Sequence, residues 1–266
     1  MLSCIDIVRS VFLLGHFKTS WQLTLHPAVM ESHPLGNSIS AWEVEIEEPM
    51  HMFKLNDHEH SKPTDEMIAD AGYPAETHDT VTDDGYILRL HRIPHEAGGA
   101  YNSSRPAVFL MHGLLSSSAD WVVTGPGKAL AFLLSDQGYD VWMGNYRGNT
   151  YSKQHVNPTI DKKTYWAFSW DEMAEHDLPT MLAHMMEVTG QETFHYIGHS
   201  MGTITYYTAC NYHSWIANAT KLMVGYGPHT VVPNMISPVL SLMANFSHDI
   251  QWFLDYLGLY DFLPSN

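Results

Sequence analysis

Short apolar runs alternate with amphipathic stretches through the middle of this chain. Residues 77–81, 86–93, 106–111, 140–144, 194–197 and 221–226 are β-prone, and 106–111 is apolar throughout, the pattern of a strand buried on both faces. Helical periodicity falls between these runs. Leu178, Met181, Leu182 and Met185 sit at i, i+3, i+4 and i+7, which predicts a helix near Asp177 with one face on a sheet and its methionines in the core. Pro179 lies at an early helical position, where proline is tolerated. Residues 203–211 extend a second helix from the run at 194–197. Strands alternating with helices predict an α/β fold with a mainly parallel sheet, and the first two strands predict an antiparallel start.

Composition narrows the class. The 266 residues, 45% hydrophobic and 16% charged, suit a globular chain with one sizeable core. A net charge of −16 argues against binding nucleic acid or an anionic membrane through a basic surface. The 18 histidines would add positive charge below about pH 6 and so would suit an acidic compartment. Two cysteines, Cys4 and Cys210, exclude a disulfide framework, and Cys210 reads as a buried free thiol. Near the amino terminus the apolar run Val11-Phe12-Leu13-Leu14 is preceded by Asp6 and Arg9, which gives no convincing signal peptide and is too short to span a membrane. Sequons at Asn102, Asn218 and Asn245 are compatible with secretion.

Residues 1–62 read as a poorly ordered extension. The stretch 41–60 is acidic and carries His51, His58 and His60, which read as a solvated tail rather than a metal site because no second cluster completes one. No metal or cofactor is called for elsewhere.

Gly198-His199-Ser200-Met201-Gly202 carries the candidate chemistry. This G-x-S-x-G run lies between a predicted strand and a predicted helix, the setting of a nucleophile elbow. A serine hydroxyl is a weak nucleophile unless it is presented openly to a base, and a sharp strand-to-helix turn does this. Ser200 is therefore the candidate nucleophile, and the backbone N–H of Met201 a candidate oxyanion donor. His199 reads as a packing residue of the turn. Upstream, the apolar run at 106–111 ends in His112-Gly113-Leu114-Leu115, where the N–H of Leu114 is the second candidate donor. Asp171, Glu172 and Asp177 precede Ser200 and read as helix-start carboxylates. Arg147 reads either as a contact for an anionic group or as a structural hydrogen-bonding residue.

These motifs, with Ala71-Gly72-Tyr73-Pro74, Thr82-Asp83-Asp84-Gly85-Tyr86, Gly144-Asn145-Tyr146-Arg147-Gly148-Asn149-Thr150 and Phe262-Leu263-Pro264, resemble the acid lipase family of gastric and lysosomal lipases and their insect relatives. The resemblance runs from about residue 64 to 266. It implies an α/β-hydrolase core over 63–235 and the beginning of a helical cap over 236–266, with the last strands missing. It also implies hydrolysis of neutral lipid esters, of the triglyceride or cholesteryl ester class, by Ser200 with the Leu114 and Met201 N–H groups, in an extracellular or lysosomal setting. Many relatives have Gln at the position of Met201, a change that a backbone donor survives. In the cap segment Val239, Met243, Phe246, Ile250, Phe253 and Leu257 are spaced 4, 3, 4, 3 and 4, forming one apolar stripe that faces either an acyl pocket or lipid surface, or the protein's own core.

The triad acid and histidine have no positions in the family order. No Asp or Glu lies between Ser200 and His248, and Asp249, Asp255 and Asp261 all follow this last histidine. The chain is expected to be an incomplete portion of a lipase, inactive as it stands and poorly soluble because of an unpaired sheet edge. The alternatives are a non-catalytic lipid- or partner-binding relative and a hydrolase-fold acyltransferase.

Overall fold

A computed structural model describes residues 62–228. The amino-terminal extension up to residue 61, with its histidines and Cys4, lies outside the described residues. So do the segment from 229 to 266, its apolar stripe and Asn245.

Helix α1 (Thr64–Asp70) leads into strands β1 (Glu76–Val81), β2 (Tyr86–Ile93) and β3 (Ala107–Met111). A 3₁₀ turn (Ser118–Trp121), helix α2 (Leu130–Asp136), strand β4 (Asp140–Met143) and the two-residue strand β5 (Gln154–His155) follow. Short helices α3 (Lys162–Tyr165) and α4 (Trp170–Glu172) precede a π turn (Met173–Asp177), which runs directly into α5 (Leu178–Thr189). Strand β6 (Phe194–His199), helices α6 (Met201–Tyr212) and α7 (Ser214–Ala219) and strand β7 (Thr220–Tyr226) complete the order.

The strands form one sheet in the order β1-β2-β4-β3-β6-β7, with β5 paired to β2. β1, β2 and β4 pair antiparallel, whereas β4, β3, β6 and β7 are parallel neighbours. Every predicted strand is present within one or two residues; β5 was not foreseen, because two residues carry no readable period.

Alternation along β3 builds both layers of the core. Phe109 and Met111 join Leu88, Leu90 and Trp142 on the face covered by α5 and α6. Val108 and Leu110 join Ile93, Val141 and Met143 on the face covered by α1 and α2, where Ile68 and Phe132 pack. Each large aliphatic side chain so buried contributes about 1.5–3 kcal/mol. Leu178, Met181, Leu182 and Met185 are all fully buried, so the methionines of α5 are core, as the spacing implies. Cys210 is a buried free thiol.

A buried ion pair ties the antiparallel and parallel parts of the sheet. Arg92 on β2 grips Asp140 on β4 in two parallel bonds, Nε to Oδ1 at 2.8 Å and Nη2 to Oδ2 at 2.6 Å. Its Nη1 donates to Glu76 on β1 at 2.8 Å. Burial pushes the Asp140 carboxyl up, against the pull of the guanidinium. Removing one member of such a pair leaves a buried charge without its counter-ion. Asp140→Ala is expected to lower the unfolding free energy by about 3 kcal/mol, seen as a lower urea midpoint; an unchanged midpoint would show that Glu76 alone satisfies Arg92.

Candidate functional site

The carboxyl ends of β3 and β6 lie side by side, with Met111 opposite Gly198. From this shared edge the chain makes two turns. After β6 it reverses at Ser200 into α6, which begins at Met201, two residues earlier than the periodicity indicated. Ser200 is held at φ 50° and ψ −112°. A non-glycine residue in that region stores about 1–3 kcal/mol of strain, and such strain collects at functional positions. Ser200 and Leu115 (φ 58°) are the two non-glycine residues with positive φ among the described residues, and they belong to the two facing turns.

Close packing keeps the strained turn in place. A Cβ on Gly202 would lie 2.6 Å from the Met111 carbonyl oxygen, and one on Gly198 would lie 2.6 Å from the Gly202 oxygen. Both contacts are with backbone, which has no room to yield. Tyr196 Oη donates to the Gly202 carbonyl at 2.7 Å, and the Ser200 N–H donates to Tyr226 on β7 at 2.9 Å. Thr203 Oγ1 donates to the Ser200 carbonyl at 2.6 Å. A Cβ on Gly113 would stand 3.2 Å from Ser200 Cβ and 3.0 Å from His199 Nδ1, so the turn after β3 touches the elbow only because residue 113 is glycine. His199 is exposed at this junction rather than packed within it.

His112 fixes the second turn. Its Nε2 is approached by the Tyr146 N–H at 3.4 Å and Asn149 Nδ2 at 3.2 Å, both donors, so the ring carries its proton on Nδ1. That N–H donates to the Gly113 carbonyl at 2.8 Å. In a trans peptide the C=O and the following N–H point in opposite directions, so this bond also orients the Leu114 N–H. Neither Leu114 N nor Met201 N has a hydrogen-bond partner among the described residues. For Met201 this follows from its place in the first helical turn, where amides have no intrahelical acceptor. Burial lowers His112 to about 4, and with both ring nitrogens engaged it is a structural residue and no base.

Leu114 and Met201 line a cavity of ≈ 200 Å³ together with Leu115, Tyr146, Trp166 and Phe168. Arg147 is part of its wall, and the geometry decides between the two readings of this residue. It is 2% exposed and donates from Nε to Asp177 at 2.7 Å and from Nη1 and Nη2 to Asp84 at 2.6 and 3.0 Å. Its guanidinium stacks 3.9 Å from the centre of the Tyr86 ring. With these donors committed, Arg147 is structural. Asp177 correspondingly departs from the capping role: its side chain makes no cap bond and accepts from Arg147 N at 2.9 Å and from Nε. The π turn over Met173–Asp177 carries it inward, and burial raises its carboxyl to about 6. Glu172 does cap, in a reciprocal box with Ser169.

Trp166 and Phe168 were not singled out in the sequence, and Tyr146 was quoted there only within the motif that follows β4. The aromatic density between Tyr165 and Trp170 was the available signal, although it reads equally as core. Ser200 Oγ has no histidine partner among the described residues. Asp83, Asp84 and His176 offer ligand atoms within 4.8 Å of one another, but both oxygens of Asp84 are already bonded to Arg147.

Comparison with known proteins shows what the chain is similar to. Residues 64–125 match the family described as a partial alpha/beta-hydrolase lipase region, and 106–215 match the alpha/beta hydrolase fold. The chain is similar to Lipase lipl-3 of Caenorhabditis elegans, at 43% identity over 207 residues, covering 76% of this chain and 51% of that protein. Lipase 3 of Drosophila melanogaster is 43% identical over 201 residues, covering 76% and 51%. Gastric triacylglycerol lipase of Rattus norvegicus is 40% identical over 205 residues, covering 74% and 52%. The chain spans about half the length of the curated relatives it matches.

The buried histidines contribute to the pH dependence with one sign, and Asp177, raised to about 6, contributes with the other. His91 (1% exposed) and His112 are both lowered from 6.5 to about 4, chiefly by burial. At these two positions the unfolded chain therefore takes up protons first, and the stability they contribute is lost as pH falls from 6.5 toward 4. Each such histidine contributes a slope of up to about 1.4 kcal/mol per pH unit in that window. His91→Gln is expected to flatten the curve of unfolding free energy against pH between these values. A variant with the original slope would mean that His91 charges inside the fold.

Proposed function

We propose that this chain, which belongs to the acid lipase family of the α/β-hydrolases, carries the nucleophile and oxyanion half of a serine ester hydrolase acting on neutral lipid esters. The observation that carries the reading is the strained Ser200, packed against the Gly113 turn and followed directly by Met201, which with Leu114 lines the neighbouring cavity. Ser200 Oγ attacks the ester carbonyl. The negative charge that develops on the carbonyl oxygen is met by the Leu114 and Met201 N–H groups, the alcohol leaves, and water releases the acid from the acyl-enzyme. An oxyanion donor of this type is worth about 10²–10³ in kcat.

The apolar wall of Leu115, Trp166, Phe168 and Met173 favours an acyl chain over a polar group. Triglyceride and cholesteryl ester both fit that description. The family order supplies no acid and histidine after Ser200 in this sequence, so the half-site needs a base from outside it. Loss of the histidine alone from a comparable triad costs about 10⁶ in kcat, which would leave the elbow without useful turnover. The relatives include a gastric lipase, and we take the setting of this protein to be extracellular or lysosomal.

The test uses the natural full-length protein on emulsified triglyceride and cholesteryl ester, with and without Ser200→Ala. The variant should lose at least about 10³-fold in kcat and should no longer be labelled by a phosphonate ester that modifies the active serine. Equal hydrolysis by the two proteins would overturn the assignment of Ser200.

A further inference from the structure

The loop joining β2 to β3 lies at the end of the sheet opposite the elbow. It enters β3 at Ala107, whereas the elbow faces the other end of that strand at Met111. At its tip Asn102, Ser103 and Ser104 are all exposed. Asn102 Oδ1 accepts from the Ser104 N–H at 3.0 Å and from the Ser104 hydroxyl at 2.9 Å. Both bonds fall on the amide oxygen, and Nδ2 has no partner among the described residues. The Arg105 N–H closes the turn on the Asn102 carbonyl at 3.1 Å, and an Arg105–Glu96 ion pair ties down its far side.

We propose that Asn102 is an N-glycosylation site. An Asn-x-Ser/Thr acceptor needs an accessible amide and a hydroxyl free to engage it. Here the hydroxyl already contacts the amide, and a bulky polar group on Nδ2 would project into solvent without meeting either core layer or the cavity. The reaction transfers an oligosaccharide from a lipid-linked diphosphate donor. The Nδ2–C1 bond forms, the C1–O bond to the diphosphate breaks, and one Nδ2 proton is lost.

The second sequon within the described residues is built differently. Asn218 lies in α7, and Thr220, the first residue of β7, is buried with its hydroxyl donating to the Ile216 carbonyl at 2.7 Å. Its hydroxyl is therefore spent on the helix end, and Asn102 is the preferred acceptor of the two.

This inference rests on the extracellular or lysosomal setting proposed above, and the experiment separates the two. The full-length protein is made in eukaryotic cells with its natural amino terminus and, in parallel, behind a cleavable secretory leader. Peptides are mapped after enzymatic removal of N-glycans in heavy-oxygen water, which marks each formerly occupied asparagine. Asn102 should be marked in the leader-fused protein, and Asn102→Gln and Ser104→Ala should each abolish that mark while Ser104→Thr preserves it. An unmarked Asn102 in the leader-fused protein overturns the site, whether or not Asn218 or Asn245 is marked. A mark in the leader-fused protein alone upholds the site and removes the proposed setting instead.

Discussion

The site depends on one contact without side chains, the approach of the α6 amino terminus to the carboxyl end of β3. At Gly202 the helix backbone comes so near the Met111 carbonyl that a single methyl group would push the two apart. That proximity brings the start of α6 beside the turn after β3, where Gly113 packs against Ser200. Strain at Ser200 is a consequence of the same constraint. The chain must leave a buried strand and enter a helix within one residue, and the surrounding sheet and helix hold that residue in a conformation it would otherwise leave.

A second constraint acts from beneath. The loop after β4 carries Asn145, Tyr146, Arg147 and Asn149, and each binds a different neighbour. Asn145 donates to the Arg89 carbonyl and accepts from the Ser118 N–H, both at 2.9 Å, which joins β2 to the 3₁₀ turn. Tyr146 bonds to Thr205 in α6, and Arg147 bridges Asp84 and Asp177. Buried groups of this kind add little net stability, because desolvation offsets most of the attraction. Their effect is positional. They hold the β1–β2 turn, the π turn and the turn after β3 in one arrangement around the cavity.

Much of this was legible in the sequence, for identifiable reasons. The central strand β3 is a short continuous apolar run, and burial on both faces allows little else. The elbow was legible because its glycines are demanded by backbone contacts that tolerate no substitute. Asp177 was misread because its partner is Arg147, thirty positions away, and because a π turn alters which residues of a helix face inward. Periodicity assumes a regular helix and cannot register such an insertion. The cavity wall was missed for a related reason: Trp166 and Phe168 have the composition of core residues, and only the turn at Gly148 beneath them separates a wall from an interior.

The histidines show how composition alone misleads about pH. Their number suggests a chain suited to acid, since each would gain charge below its ordinary pKa. Position reverses this for two of them. His91 sits among Ser118 and Asn145, and His112 holds the Gly113 carbonyl with one nitrogen while accepting at the other. Burial opposes the second proton at both. At these two positions acid therefore works against the scaffold of the site. A protein of this design that operates at low pH must draw its stability there from apolar burial. The fully buried strand β3 provides that, because none of its five side chains carries a proton to lose or gain.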